Sequence, residues 1–196
     1  LLCDEMGLGK TVEAIAMIIA TLEQRNAPGT VLIVCPTSLM SHWMQSFATF
    51  APGHAVILYH GGERHLSFQA RIMVTSYGIM KNDFARLAEK RYSIIVFDEI
   101  QNLKNRDTVS FEAAQQLTAR CKIGCTGTPI ENSVADLKAL FDIVLPGYLG
   151  TDDAFMERFI EPIENRDDRV TKSRFRAFTA PFILRRLKKD VLAELP

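Results

Sequence analysis

Three observations predict an α/β fold, a mostly parallel sheet with helices on both faces followed by a stretch of helices alone. Five apolar, β-branched runs of strand length recur, at residues 30–35, 55–59, 71–75, 93–97 and 121–126. Their nearly continuous apolar character suits strands covered on both faces, as in a parallel sheet. Helical spacing fills the intervals between them, and beyond residue 130 the strand-like runs cease.

The elements follow in order. Leu1-Leu2-Cys3 is a short apolar strand end. Residues 11–24 carry Val12, Ile15, Ala16 and Ile19 at helical spacing and stop before Ala27-Pro28-Gly29. Phe84 and Leu87 mark a second helix, and residues 110–117 a third. Ser133-x-x-Asp136 resembles a capping box ahead of a face made of Val134, Leu137, Leu140, Phe141 and Val144, and Pro146-Gly147 ends that helix. Two further helical stretches, 152–160 and 170–178, flank a charged linker at 164–169.

Composition narrows the class. Of 196 residues 47% are hydrophobic and 23% charged, which excludes a disordered tail, a collagenous repeat and a disulfide-stapled miniprotein. Twenty-three basic residues balance 23 acidic ones, so a protein that coats phosphate wholesale is excluded while a local basic patch is not. Cys3, Cys35, Cys121 and Cys125 read as buried reduced thiols, and no second Cys/His pair completes a zinc site around Cys121 and Cys125. No apolar run reaches the roughly 18 residues that cross a membrane, and no signal peptide is evident. The chain opens at Leu1 almost directly on a Gly-rich motif and stops at Pro196 within a charged segment, as expected of a piece of a larger protein.

In parallel α/β sheets ligands sit beyond the carboxyl ends of the strands. Asp4-Glu5-Met6-Gly7-Leu8-Gly9-Lys10-Thr11 lies at such a place, after a strand end and before a helix. Gly7 and Gly9 let backbone N–H groups curl round a phosphate, and the helix N-terminus adds partial positive charge. Lys10 reaches the β- and γ-phosphates, and the Thr11 hydroxyl ligates Mg²⁺. The strict phosphate-loop pattern is not met, because Asp4 stands where its first glycine belongs. A second motif, Ile94-Ile95-Val96-Phe97-Asp98-Glu99, ends a buried strand in two acids. Carboxylates there need a charge partner, which Mg²⁺ on Asp98 supplies, while Glu99 orients and deprotonates a water. Together the motifs point to NTP hydrolysis.

Asp4–Thr11, Asp98-Glu99-Ile100-Gln101 and Thr126-Gly127-Thr128-Pro129 resemble motifs I, II and III of the SWI/SNF-type helicase-like ATPases of superfamily 2, in which Asp at the first loop position is usual. Cys35-Pro36-Thr37-Ser38-Leu39 with Trp43 resembles motif Ia, and Val74-Thr75-Ser76-Tyr77 motif Ib. Gly127 to Ser133, Leu145-Pro146-Gly147 and Phe182-Ile183-Leu184-Arg185-Arg186 are similar to stretches specific to that family, and Ile130-Glu131-Asn132 is closer to its bacterial and archaeal members.

The resemblance implies a RecA-like P-loop NTPase lobe at 1–130, a helical protrusion at 131–180 and the start of an inter-lobe linker at 181–196. It implies ATP and Mg²⁺ as cofactors, with Asp4, Glu5, Met6, Gly7, Leu8, Gly9, Lys10 and Thr11 holding the nucleotide and Thr11 and Asp98 the metal. Lys10, Asp98, Glu99 and Gln101 would carry hydrolysis, with Gln101 hydrogen-bonding toward Thr126 or Thr128. It implies translocation on double-stranded DNA without strand separation, independent of base sequence. Phosphate contacts would come from Thr37, Ser38, Thr75 and Ser76, with His42 beside them. The remodelling of a protein–DNA complex, a second lobe bringing arginine fingers, and a compartment that holds DNA (bacterial or archaeal cytoplasm and nucleoid, or a nucleus) follow from the same resemblance.

Other readings of single residues stay open here. Ser38 caps the next helix, or Thr75 and Ser76 cap strand ends, instead of meeting DNA. Trp43 reads as core rather than as a base-stacking platform. The basic run from Lys172 to Lys189 is either a DNA-facing patch or a solvated face, with Phe182, Ile183 and Leu184 packed on a lobe and Arg185 and Arg186 turned outward or bracing the second lobe. A strand-separating helicase and an ATP- or DNA-binding module that hydrolyses little are the alternative functions.

Overall fold

A computed structural model describes residues 1–24, 29–62, 71–127 and 133–191. Its centre is a five-stranded sheet of order β2-β3-β1-β4-β5 with every pairing parallel. The strands are β1 (Thr30–Cys35), β2 (Val56–Leu58), β3 (Ile72–Ser76), β4 (Tyr92–Asp98) and β5 (Ala119–Cys125). All seven residues of β4 are buried, as its unbroken apolar run requires. Leu2 extends the sheet past β5: its N–H donates to the Gly124 carbonyl at 2.7 Å, and its carbonyl accepts from Thr126 N.

Alternate residues of each strand face opposite layers. Val31, Ile33, Val74, Ile94 and Val96 pack under α1 (Lys10–Leu22) and α2 (Met40–Phe50). The opposite face, with Leu32, Val34, Met73, Ile95 and Phe97, carries α3 (Tyr77–Asn82), α4 (Phe84–Ala88), α5 (Val109–Gln116) and α6 (Val134–Val144). Each such buried aliphatic contributes about 1.5–3 kcal/mol by leaving water. The buried stripe of α1 is Ala14, Ile15, Ile18 and Leu22, turned from the expected Val12, Ile15, Ala16 and Ile19. In a helix apolar nearly all round, sheet packing selects the face.

Helix α6 faces two ways. Ala139, Leu140 and Ile143 belong to the sheet core, while Leu137 and Phe141 join Leu149, Phe155, Phe159, Ile163 and Phe175 in a separate cluster. That cluster is formed with α7 (Asp152–Phe155), a π-helical continuation Met156–Asn165 and α8 (Arg169–Thr179). Ser133 caps α6, its Oγ accepting from the N–H groups of Ala135 and Asp136. The expected box does not close, because the Asp136 carboxylate pairs with Lys104 at 3.2 Å. A last short helix, α9 (Lys188–Val191), follows a segment in which Leu184 bridges Leu2.

The sandwiched position of α6 buries two charges. Lys138 Nζ lies 2.7 Å from Asp142 and 3.1 Å from Asp152, and Arg106 pairs with both carboxylates. Three of the thiols are buried, and burial pushes those of Cys35 and Cys125 up to about 12, so they stay protonated and inert. Cys121 is exposed, contrary to expectation, because β5 is an outer strand whose first turn of residues lies open. No helix among the described residues is long and apolar enough to cross a membrane.

Removing one partner of a buried pair leaves the other charge uncompensated. Asp142→Ala is expected to lower unfolding stability in urea by about 3 kcal/mol, at the low end of such losses because Asp152 still faces Lys138. Lys138→Met combined with Asp142→Leu should recover most of that loss.

Candidate nucleotide site and adjoining surface

Every expected site segment in the described residues lies at the carboxyl end of a parallel strand, and so on one edge of the sheet. The loop after Leu2 and Cys3 makes its turn at Gly7 and Gly9, both at φ +87°, a region L side chains rarely enter. Gly9 is the N-cap of α1, so the first N–H groups of the helix open toward the loop. Lys10 Nζ donates to the loop's own carbonyls, Asp4 at 2.7 Å and Glu5 at 3.3 Å. The ammonium is thereby parked over the loop, where an arriving phosphate exchanges places with two neutral acceptors. A Cβ at Gly127 would lie 2.6 Å from Met6 Cγ and 3.4 Å from Lys10 Nζ, which shows how closely the segment after β5 approaches the loop.

The Asp4 side chain corrects an expectation. It is fully buried and turned away from the loop, with Oδ1 accepting the Arg186 N–H at 2.7 Å and Oδ2 accepting from the Arg186 guanidinium, which also reaches Glu13. Asp4 therefore fastens the root of the loop and does not itself face a phosphate. Arg186, expected to turn outward or brace a second lobe, is bound to this lobe for the same reason. Two more contacts continue the strap: Glu5 N donates to the Arg186 carbonyl, and Lys188 N donates to Glu5 Oε2 at 2.7 Å. A cleft of ≈ 670 Å³ lies between strap and loop, lined by Glu5, Met6, Gly127, Arg185, Lys188 and Lys189 among others.

Across the edge, β4 delivers Asp98 and Glu99. Asp98 is buried with no cationic side chain paired to it among the described residues. Burial pushes its carboxyl up, while the hydrogen bond from Trp43 and the Lys10 charge pull the other way. Trp43 Nε1 donates to Oδ2 at 2.8 Å, Glu99 N donates to Oδ1 at 3.0 Å, and the Tyr77 hydroxyl donates to the Asp98 carbonyl at 2.7 Å. Glu99 is held at φ +52°, an uncommon conformation for a side chain other than glycine. Gln101 Nε2 donates to Glu99 Oε2 at 2.6 Å instead of reaching Thr126, and its Oε1 is buried without a hydrogen bond. The two residues lie on one tight turn, which brings their side chains together before any distant partner. Thr128 and the rest of 128–132 fall outside the described residues.

These residues fit a magnesium ion. A buried carboxylate lacking a counter-charge stands with the half-buried Thr11 hydroxyl on the same sheet edge. No cluster of three or more His, Cys, Asp or Glu among the described residues forms an all-protein cage. That donor set suits a cation that keeps waters and shares phosphate oxygens.

The order and spelling of these segments match a known profile, the SNF2-related domain, over residues 1–196. The chain belongs to the SNF2-related family. It is 38% identical to the TATA-binding protein-associated factor MOT1 of Saccharomyces cerevisiae, over all of this chain and 12% of that protein. It is 35% identical to the "Uncharacterized ATP-dependent helicase MG018" of Mycoplasma genitalium, over all of this chain and 19% of that protein. The chain thus spans less than a fifth of either relative's length. Among solved structures, the Sulfolobus solfataricus SWI2/SNF2 ATPase core in complex with dsDNA superposes with a TM-score of 0.91 at 36% identity, covering all of this chain and 42% of that one. The fold is accordingly the first, RecA-like lobe of a SNF2-type core.

Within this SNF2-related lobe the four expected DNA-contacting hydroxyls divide. Thr37 and Ser38 are exposed on the 3₁₀ turn Thr37–Leu39 that precedes α2, and Ser38 does not cap that helix, whose N-cap is Leu39. Thr75 and Ser76 are buried: Thr75 Oγ1 donates to the Tyr59 carbonyl at 2.8 Å, and Ser76 Oγ accepts from Ile79 N at 3.3 Å as the cap of α3. The Thr75 donor is spent on the lobe and the Ser76 hydroxyl is buried at the helix cap, so their expected phosphate contacts are corrected. A strand end that turns straight into a helix needs a capping acceptor, and Ser76 supplies it. Trp43, read as core, is fully buried and is also the donor to Asp98. The sequence signal for that was the residue type, since a buried indole N–H needs an acceptor. Tyr77 and the Asp4–Arg186 contact carried no local signal.

Arg186→Ala should leave Asp4 buried and unpaired at the root of the loop. The expected result is a fall of several degrees in Tm, together with weaker binding of Mg²⁺–ATP. Arg186→Lys should restore little of either, because a point ammonium cannot grip Asp4 and Glu13 as the fork does. A melting curve and a titration on each variant check this.

Proposed function

We propose that the chain is the nucleotide-binding lobe of a DNA-dependent ATPase, in which ATP hydrolysis drives translocation along double-stranded DNA and the remodelling of protein–DNA complexes. The observation that carries the reading is the convergence of the Lys10 loop with a buried, unpaired Asp98 on one sheet edge. The solved relative bound to dsDNA and the relatives named as helicases support the same direction.

In this reading the loop N–H groups and Lys10 take the β- and γ-phosphates. Thr11 and Asp98 would hold Mg²⁺, which would supply positive charge against that developing on the phosphates. Glu99 accepts the proton of the attacking water, and Gln101, bonded to Glu99 Oε2, sets the direction of that carboxylate. Arginines from a second lobe complete the charge stabilisation, a contribution of roughly 10³–10⁵-fold in related NTPases. Residues 1–196 alone therefore bind nucleotide yet turn over little. Thr37 and Ser38, with His42, offer short donors to a phosphate backbone and no reader of base edges, so binding is indifferent to sequence. The cellular site is wherever that DNA lies, nucleoid or nucleus.

The deciding experiment measures ATPase rates, in a polypeptide holding this lobe and a second one, with no nucleic acid, single-stranded DNA, duplex DNA and RNA. Stimulation by duplex above the others is expected; equal rates in all four would overturn the reading. In the same polypeptide Lys10→Ala should lose nucleotide binding and turnover together. Glu99→Gln should keep binding and lose about 10²–10⁴-fold in kcat, the usual worth of a general base.

The two hydroxyl pairs separate by their readouts. Thr37→Ala with Ser38→Ala should lower the duplex-stimulated rate several-fold more than the unstimulated one, at constant Tm. Thr75→Ala should instead cost about 1–2 kcal/mol of stability, from the loss of its buried hydrogen bond to the Tyr59 carbonyl, and lower both rates in proportion.

A further inference from the structure

Asp98 is gripped from both faces of the sheet. Trp43 belongs to the layer of α1 and α2 and donates to Oδ2; Tyr77 packs in the opposite layer and donates to the Asp98 carbonyl. With Glu99 N on Oδ1, the residue is fixed at three points. Each aromatic donor also sits just past one of the segments expected to meet DNA. Trp43 lies one turn into α2, after the Thr37–Leu39 turn, and Tyr77 follows Ser76 directly. The Trp43 ring is fully buried and cannot stack on a base, and Tyr77 is half-buried.

We propose that Trp43 is a positioning residue for the metal carboxylate: its indole N–H occupies one side of Asp98 Oδ2 and so directs the remaining lone pairs toward the cation, and through it the turn bearing Thr37 and Ser38 is tied rigidly to the metal position. Tyr77 does the same for the backbone of Asp98 from the other face. The inference rests on the proposed nucleotide reading of the site. The physical reason is that a carboxylate has two oxygens and free rotation about χ2, and a metal ligand needs one orientation held before the metal arrives. A hydrogen bond between a neutral donor and an ionised acceptor, closed off from water, is strong enough to hold it. A displacement of the α2 turn by a bound duplex then reaches Oδ2 through a single rigid ring, with no intervening side chain.

A purely structural Trp43 would merely satisfy its own N–H and fill the core. The two roles differ in what happens to magnesium. Trp43→Phe keeps a ring beside Phe47 and removes the donor. In the 196-residue chain, ATP affinity measured by titration in EDTA should be unchanged, while the gain in affinity on adding Mg²⁺ should shrink about 10-fold, the lower end for loss of a partner behind a metal ligand. Tyr77→Phe should show a smaller loss of the same kind. If the Mg²⁺ gain is unaltered, or if affinity falls equally with and without Mg²⁺, the proposal is overturned. Should Trp43→Phe fail to fold, the unsubstituted chain decides. Trp43 is the sole tryptophan, so it gives a single indole N–H resonance. Adding Mg²⁺ to the ATP-saturated chain should move that resonance, and Asp98→Asn should abolish the movement. A resonance that stays in place on Mg²⁺ addition overturns the inference. ATP that fails to bind at all, or binds equally to Lys10→Ala, overturns the functional reading itself; ATP binding strengthened by Mg²⁺ yet indifferent to Trp43 overturns the positioning role alone.

Discussion

The complete burial of β4 is the constraint on which the rest depends. A strand with all seven residues inside has no solvent face, so its first ionised group has to appear where the strand leaves the sheet. Asp98 is that group. Because every pairing is parallel, the same edge also receives the ends of β1, β3 and β5 and the loop that follows Leu2. The site is thus assembled by direction alone: parallel strands stack their carboxyl ends, and whatever chemistry those ends carry is brought together.

Burying a carboxylate without a cation is costly, and the surroundings of Asp98 show how the cost is contained. Two neutral donors, Trp43 Nε1 and Glu99 N, replace water at the carboxylate, and the Tyr77 hydroxyl does so at the backbone carbonyl of the same residue. None supplies a full positive charge, which leaves the carboxylate electrostatically unsatisfied and its carboxyl shifted upward by burial. Asp4 is the opposite case. Also buried, it is paired with Arg186, which it shares with Glu13, and it serves as an anchor. Two aspartates on one sheet edge thus part in role according to whether a permanent cation is built beside them.

The strap from Leu184 to Lys188 gives the lobe a second unity. Leu184 hydrogen-bonds with the Leu1–Cys3 stretch, Arg186 grips Asp4, and the Lys188 N–H meets Glu5. The segment therefore lies beside Leu2 through an isolated parallel bridge and ends against the phosphate loop. Helix α6 works similarly on the other side, sharing its faces between the sheet core and the aromatic cluster of α7 and α8, with Lys138, Asp142, Arg106 and Asp152 closing the seam.

Strand identity, the helix after the phosphate loop, the loop itself and the Asp98-Glu99 pair were legible in the sequence, because each depends on residues adjacent along the chain. Five β-branched runs specify strands, the three central ones buried and the outer two partly open, and Gly7-Leu8-Gly9-Lys10-Thr11 makes its turn through its own backbone. Only tertiary structure decided which hydroxyls were free. Thr75 ends an apolar run much like the one that Thr37 follows, yet Thr75, inside β3, lies against the Tyr59 carbonyl while Thr37, past β1, faces solvent. Only it could turn Asp4 toward Arg186, 182 positions away, or bring Trp43 to Asp98 across 55. Contacts of that span depend on the order of strands in the sheet and the layer each helix occupies, and periodicity along a single element carries neither.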